Sequence, residues 1–189
     1  MDNKNQKPLC GIDEAGRGPL AGSLVMAGVI LKNPVEGLMD SKKLTLKKRE
    51  MLFPLILENA DYHIVSFSAQ QIDEMGISKC LRKGLQTIQA YLPEAAYLFD
   101  GNSTFGVDNI TTMVKADAKV PEVSAASILA KVTRDREIIA YAGEYPQYGF
   151  EKHKGYGTKA HIEALATYGR CALHRKTFRV KALDEPVLF

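Results

Sequence analysis

Residues 11–23 read GIDEAGRGPLAGS: two adjacent acids, a Gly-Arg-Gly and a proline inside an otherwise apolar run. Acids are poor strand formers and costly to bury. The flanking stretches, 8–13 (PLCGID) and 23–31 (SLVMAGVIL), have strand character, and the second is continuously apolar, as a buried strand is. Asp13 and Glu14 therefore stand where a core strand ends, and Gly16, Arg17 and Gly18 form the loop to the next strand. Gly16-x-Gly18-x-x-Ala21 fits the spacing of a dinucleotide-binding loop. That loop must open a helix, whose N-terminus meets the pyrophosphate, whereas here Pro19 and a strand follow. A plain turn would explain the glycines. It would not explain the two acids before them or the arginine between them.

Outward from this stretch, 62–67 (YHIVSF), 96–100 (AYLFD) and 110–114 (ITTMV) read as further strands. Helices are expected over 45–59, with Pro54 as an interruption, and over 123–141, with Ile128, Leu129, Val132 and Ile139 on the apolar side. Ile77, Cys80, Leu81, Leu85, Ile88 and Leu92 follow a helical stripe. Ser68 and Gln71 have capping-box spacing, and Thr158 can cap a helix that ends before Gly169. The order β-β-α-β-α-α-β-β-α-α describes an α/β layered domain with a helical C-terminal end.

The 189 residues, 46% hydrophobic and 25% charged, suit one soluble domain with a real core. No apolar run is long enough to cross a bilayer, so a membrane is not an expected partner. Cys10, Cys80 and Cys171 form no CxxC pair, which disfavours zinc and disulfides and fits a reducing cytoplasm. Net charge is only +3, but the bases are clustered. Lys42, Lys43, Lys47, Lys48 and Arg49 form one group. Residues 152–181 carry eight bases against the single acid Glu163, with Tyr156 and Phe178 interleaved. Solvated helix faces are one reading of such clusters; a polyanionic partner is the reading that two of them favour.

Asp13 ends the first strand, Asp100 ends the fourth and Asp117 follows the fifth. If these strands are neighbours, the acids converge at the strand ends where open α/β sheets bind ligands. Converging carboxylates repel one another, and a divalent cation removes the conflict. Oxygen donors without a Cys/His cluster suit Mg²⁺ or Mn²⁺. Two such ions about 4 Å apart suit phosphodiester hydrolysis. Separate surface acids are the alternative, and for Asp100, before Gly101 and Asn102, a plain turn is a rival.

GIDEAGRGPLAG (11–22), DSKKL (40–44), FDG (99–101), KAD (115–117), SAASILAKVTRD (124–135) and HKGYGT (153–158) occur in that order. Together they resemble bacterial ribonuclease HII, the type 2 ribonuclease H, over roughly residues 9–180. The resemblance implies a ribonuclease-H-like fold, a five-stranded mixed sheet flanked by helices with a helical C-terminal part. Residues 1–145 would form the catalytic core and 146–189 a basic helical segment packed on the same domain. The implied activity is an endoribonuclease acting on RNA/DNA hybrids and on single ribonucleotides embedded in duplex DNA. Cleavage 5′ of the ribonucleotide would leave a 3′-hydroxyl and a 5′-phosphate, and the role would be removal of misincorporated ribonucleotides by a cytoplasmic monomer. Asp13, Glu14, Asp100 and Asp117 would be the catalytic, metal-binding acids for two Mg²⁺ or Mn²⁺ ions. Gly16, Arg17, Gly18 and Tyr156 would read the ribose 2′-hydroxyl. Ser41, Lys42 and Lys43 match a segment near the substrate, with phosphate contact or a solvated helix start as their two readings.

Two departures stand out. Ala116 occupies a place where glycine is usual, and 72–78 (IDEMGIS) lacks an expected asparagine near Met75 or Gly76. Outside the motifs, Asp73 and Glu74 fit a helix first turn. Lys131 and Asp135 fit an intrahelical pair. His153 and His174 read as solvated or hydrogen-bonding residues. A DNA-cutting enzyme of the same fold and a non-catalytic nucleic-acid binder remain as rival functions.

Overall fold

A computed structural model describes residues 7–38, 44–180 and 183. Five strands, β1 (Leu9–Ala15), β2 (Leu24–Leu31), β3 (Ala60–Phe67), β4 (Ala96–Asp100) and β5 (Ile110–Met113), form one mixed sheet in the order β3-β2-β1-β4-β5. The β1–β2 and β2–β3 pairings are antiparallel; β1–β4 and β4–β5 are parallel. Six helices accompany the sheet among the described residues: α1 (Leu46–Asn59), α2 (Ala69–Met75), α3 (Ile77–Tyr91), α4 (Pro121–Ala140), α5 (Phe150–His153) and α6 (Lys159–Tyr168).

The unbroken apolar run of β2 is explained by burial on both faces. Leu24 and Met26 enter a core with Cys10, Ile12 and the α3 stripe of Cys80, Leu81, Leu85 and Ile88. Val25, Ala27 and Val29 point the other way, against α1 and α4 through Leu52, Ile56, Ala125, Ile128 and Leu129. Alternation along the strand sends successive side chains to opposite layers. A third cluster joins Ile138 of α4 to Tyr148, Phe150 and Leu165 of the C-terminal segment.

The expected caps are present. Ser68 and Gln71 close a reciprocal capping box on α2, Thr158 accepts from the His161 N–H, and Gly169 ends α6 at φ 72°. Helix α1 continues through Pro54, which removes one backbone donor from it. Other expectations need correction. In α4 the buried residue is Ile138, and Ile139 is exposed, because the C-terminal segment docks on a side of the helix that the sheet does not cover. Asp73 is not in the first turn of its helix. Its carboxylate instead accepts from the N–H groups of Lys176 and Thr177 and from the Thr177 hydroxyl. Burial alone would raise the Asp73 carboxyl, but these bonds hold it below the ordinary value.

Candidate active site

Parallel pairing builds the site. Ile12 of β1 lies beside Phe99 of β4, so the next residues, Asp13 and Asp100, are neighbours at the carboxyl end of that parallel pair. Asp13 does not end its strand, because β1 runs on to Ala15 paired with β2. Asp100 pairs in register with Met113 at the end of β5. The chain then turns through Lys115, in the left-handed region at φ 59°, into a single 3₁₀ turn carrying Asp117. One carboxylate oxygen from each of Asp13, Asp100 and Asp117 lies within 4.8 Å of the other two. Ala116 is buried, has ordinary φ and donates its N–H to Asp100 Oδ1 at 3.3 Å. The left-handed residue of this turn is Lys115, so position 116 does not require glycine. At the other departure, Gly76 takes a left-handed conformation, φ 80°, between α2 and α3.

Asp13 is buried, and its carboxyl is pushed well above the ordinary value. Burial is the main cause, followed by the charge of Glu14 and, more weakly, that of Asp100. Hydrogen bonds from Ser127 and from the Glu14 N–H oppose the shift. Glu14 lines the same pocket, with Arg17 Nε 2.6 Å from its Oε1. The Arg17 guanidinium also lies 5.9 Å and 5.6 Å from the ring centres of Phe99 and Phe105.

One pocket brings these residues together. Its lining includes Asp13, Glu14, Gly16, Arg17, Gly18, Asp100 and Tyr156, a mixture of acids, backbone and one aromatic. Tyr156 is 43% exposed, so it is not a core aromatic. Lys131 Nζ and the Arg134 guanidinium sit 5.7 Å and 5.5 Å from its ring centre. Gly155 before it has φ 80°, and a Cβ there would meet the Ala21 carbonyl oxygen at 2.3 Å. Ser41, Lys42 and Lys43 fall outside the described residues.

Ser127 and Lys131 also line this pocket without having been singled out as site residues, and Arg49 of the basic cluster joins them. Ser127 and Lys131 are four apart on α4, a spacing that marks one helix face, and they were hidden in a largely apolar helix. The Lys131–Asp135 pair is present at 2.8 Å. Two bases of the C-terminal cluster are engaged by the protein's own backbone. Arg175 is fully buried, and Arg170 donates to the carbonyls of Arg175 and Phe178. Phe178 packs against the core with the Arg175 guanidinium 4.9 Å from its ring centre. His174 is buried rather than solvated. Its Nε2 is 3.0 Å from that of His161, whose Nδ1 meets the Tyr156 carbonyl. His153 is hydrogen-bonded to Tyr148 and Gly155.

The acid trio suits a hard divalent cation, since its donors are all carboxylate oxygens and one carboxyl is already strained towards neutrality. No described helix is long and apolar enough to cross a membrane.

Known proteins with this arrangement are informative. The family model described as Ribonuclease HII matches residues 10–181. A Ribonuclease HII of Sulfurovum sp. (strain NBC37-1) is 76% identical over 189 residues, covering 100% of both chains. Among solved structures, ribonuclease H2 from Pyrococcus horikoshii OT3 is similar with a TM-score of 0.74 and 30% identity, over 90% of this chain and 93% of that one. The ribonuclease HII in a PCNA complex from Archaeoglobus fulgidus gives 0.79 and 28%, over 92% and 96%. With the mixed sheet, the acid trio and this likeness along nearly the whole chain, the protein belongs to the ribonuclease HII family, divalent-metal-dependent endonucleases that cleave RNA in RNA/DNA hybrids.

Proposed function

We propose that this enzyme also cuts on the 5′ side of single ribonucleotides embedded in duplex DNA, leaving a 3′-hydroxyl and a 5′-phosphate, and so removes misincorporated ribonucleotides. The observation that carries this reading is the shared pocket. The aspartate trio, the Gly16-Arg17-Gly18 loop and Tyr156 line or adjoin one cleft, so a single nucleotide can be recognised and cut in the same place.

Asp13, Asp100 and Asp117 would hold two Mg²⁺ or Mn²⁺ ions, with Glu14 as the fourth acid. Bound there, the ions supply an activated water and neutralise charge on the leaving oxygen. The chain's own groups supply recognition. A 2′-hydroxyl both donates and accepts, and it is what distinguishes RNA from DNA. Backbone groups of the glycine loop can approach it closely. Tyr156 presents a ring to the neighbouring sugar, and Lys131 and Arg49 add positive charge for phosphates. Ser41, Lys42 and Lys43, which match a segment near the substrate, are assigned to phosphate contact. We read the chain as a cytoplasmic monomer, with 1–145 as catalytic core and 146–189 packed on it. The apolar cluster joining Ile138 to Phe150 and Leu165 supports that packing.

Mapping the cut on a duplex with one ribonucleotide tests the reading. The expected result is one Mg²⁺-dependent cut 5′ of the ribonucleotide and none in an all-DNA duplex. Cleavage of all-DNA duplex, or a cut on the 3′ side, would overturn it.

A further inference from the structure

Two arginines, Arg134 on α4 and Arg175 in the C-terminal segment, are 0% exposed. A buried guanidinium needs partners for its donors. Neither is satisfied mainly by carboxylates; backbone carbonyls take that part. Arg175 donates from Nε to Gly22 O at 3.0 Å, from Nη1 to Arg17 O at 3.1 Å, and from Nη2 to Gly16 O at 2.6 Å and Ser23 O at 3.0 Å. Arg134 donates from Nε to Ser23 O and from Nη2 to Ala21 O and Lys154 O. Its nearest carboxylate, Asp135 Oδ1, is 3.8 Å away. The two side chains therefore gather the carbonyls of residues 16–23 from behind, and Arg134 ties them to the turn that carries Tyr156.

The direction of those carbonyls matters. Every described peptide bond is trans, so a C=O and the following N–H lie in one plane and point in opposite directions across the C–N bond. With Gly16 O and Arg17 O turned into Arg175, the N–H groups of Arg17 and Gly18 are turned away from it. Gly16, Arg17 and Gly18 line the pocket, and Arg175 does not. A Cβ on Gly18 would meet nothing within 4 Å, so its outer side is open.

We propose that Arg175 is a positioning residue for ribonucleotide recognition: by holding the Gly16 and Arg17 carbonyls inward, it presents the Arg17 and Gly18 N–H groups to the substrate's 2′-hydroxyl, while Arg134 locks this loop to the Tyr156 turn. The proposal rests on the reading of the pocket given under Proposed function. Burial, then the charge of Arg134, lowers the Arg175 guanidinium to about 10, which leaves it charged at neutral pH.

The test uses the full-length enzyme without divalent metal. Affinity is measured for a duplex with one ribonucleotide and for the same duplex in all DNA. In Arg175→Lys, which keeps the charge but not the fork, the preference for the ribonucleotide should fall about tenfold, the worth of one well-made hydrogen bond. Leu165→Ala, a destabilised control in the same C-terminal cluster, should keep the full preference. Unchanged preference in folded Arg175→Lys, or equal loss in the control, overturns the proposal. Wild-type amide exchange decides independently of whether the variant folds. The Arg17 and Gly18 N–H groups should be protected by the ribonucleotide duplex and not by the all-DNA one; equal protection overturns the proposal. A wild-type enzyme with no preference between the duplexes removes the functional reading itself. Preference in the wild type that survives in Arg175→Lys removes only the role of Arg175.

Discussion

The aspartate trio and the arginine pair are both buried charge, and they flank the same loop. The arginines are answered from within: seven hydrogen bonds from their side chains end on carbonyls of residues 16–23 and 154. The acids are packed against one another, so that Glu14 and Asp100 both push the Asp13 carboxyl towards its neutral form. Buried charge that the fold satisfies stiffens the fold. Buried charge held in conflict is poised for a cation from outside. The two regions should therefore respond oppositely when a charge is removed.

The largest effect is expected at the acids. Asp13→Asn or Asp100→Asn should reduce cleavage by about a thousandfold or more, since metal-assisted charge stabilisation is worth several kcal/mol, while duplex binding persists. The same Asp13→Asn change should raise the melting temperature in metal-free buffer. The folded carboxyl is shifted upwards, so its ionised form is the destabilised one at neutral pH. A lower melting temperature would break the comparison. Arg134→Met should do the reverse, costing about 3–4 kcal/mol in denaturant unfolding because buried carbonyls lose their donors. A neutral result there would mean that the arginine is dispensable to the loop.

His174 gives a pH-dependent version of the same contrast. Burial, then the adjacent His161, lowers its imidazole to about 4. Between the ordinary value near 6.5 and about 4, the unfolded chain takes up a proton that the folded one refuses. Its contribution is thus complete above pH 6.5 and is lost as pH falls towards 4, at most about 3 kcal/mol. The melting temperature of His174→Gln should fall less steeply than that of wild type across this range.

Two glycines sharpen the comparison further. Gly16, at φ 102°, has no room: a Cβ would lie 2.4 Å from Ser23 O and 2.5 Å from Arg134 Nε. Gly16→Ala should cost about 2–3 kcal/mol of stability. Gly18→Ala should leave stability within about 0.5 kcal/mol, since a Cβ there would meet nothing within 4 Å, and weaken ribonucleotide binding, because Gly18 lines the pocket. The smallest effect on cleavage is assigned to Tyr156→Ala. Its half-exposed ring predicts an unchanged melting temperature and a loss of about 1–2 kcal/mol in kcat/KM at a single ribonucleotide. An unchanged rate and cut position would remove Tyr156 from recognition.

Much of this was legible beforehand. Periodicity located the strands, and the α2 capping box and Thr158 cap declared themselves through side chains that bond within three residues. Asp13, Asp100 and Asp117 could be suspected because an acid at a strand end has few structural uses. The basic character of 152–181 misled in part. Arg170 and Arg175 look on paper like their exposed neighbours, yet they are bound to backbone inside the protein. Ile138 and Ile139 differ by one step around a helix, and only the docking of the C-terminal segment selects the first.

What the sequence determined by itself is therefore local: strand and helix periods, caps, a loop that is not a dinucleotide site, and the chemical types needed for metal and ribose. Tertiary structure alone decided which of these meet. Parallel pairing of β1 with β4 set Asp13 beside Asp100, and Arg175 reached back across the chain to Gly16. Both are long-range outcomes of packing two layers on one sheet, and no local pattern encodes which distant partner a buried charge will find.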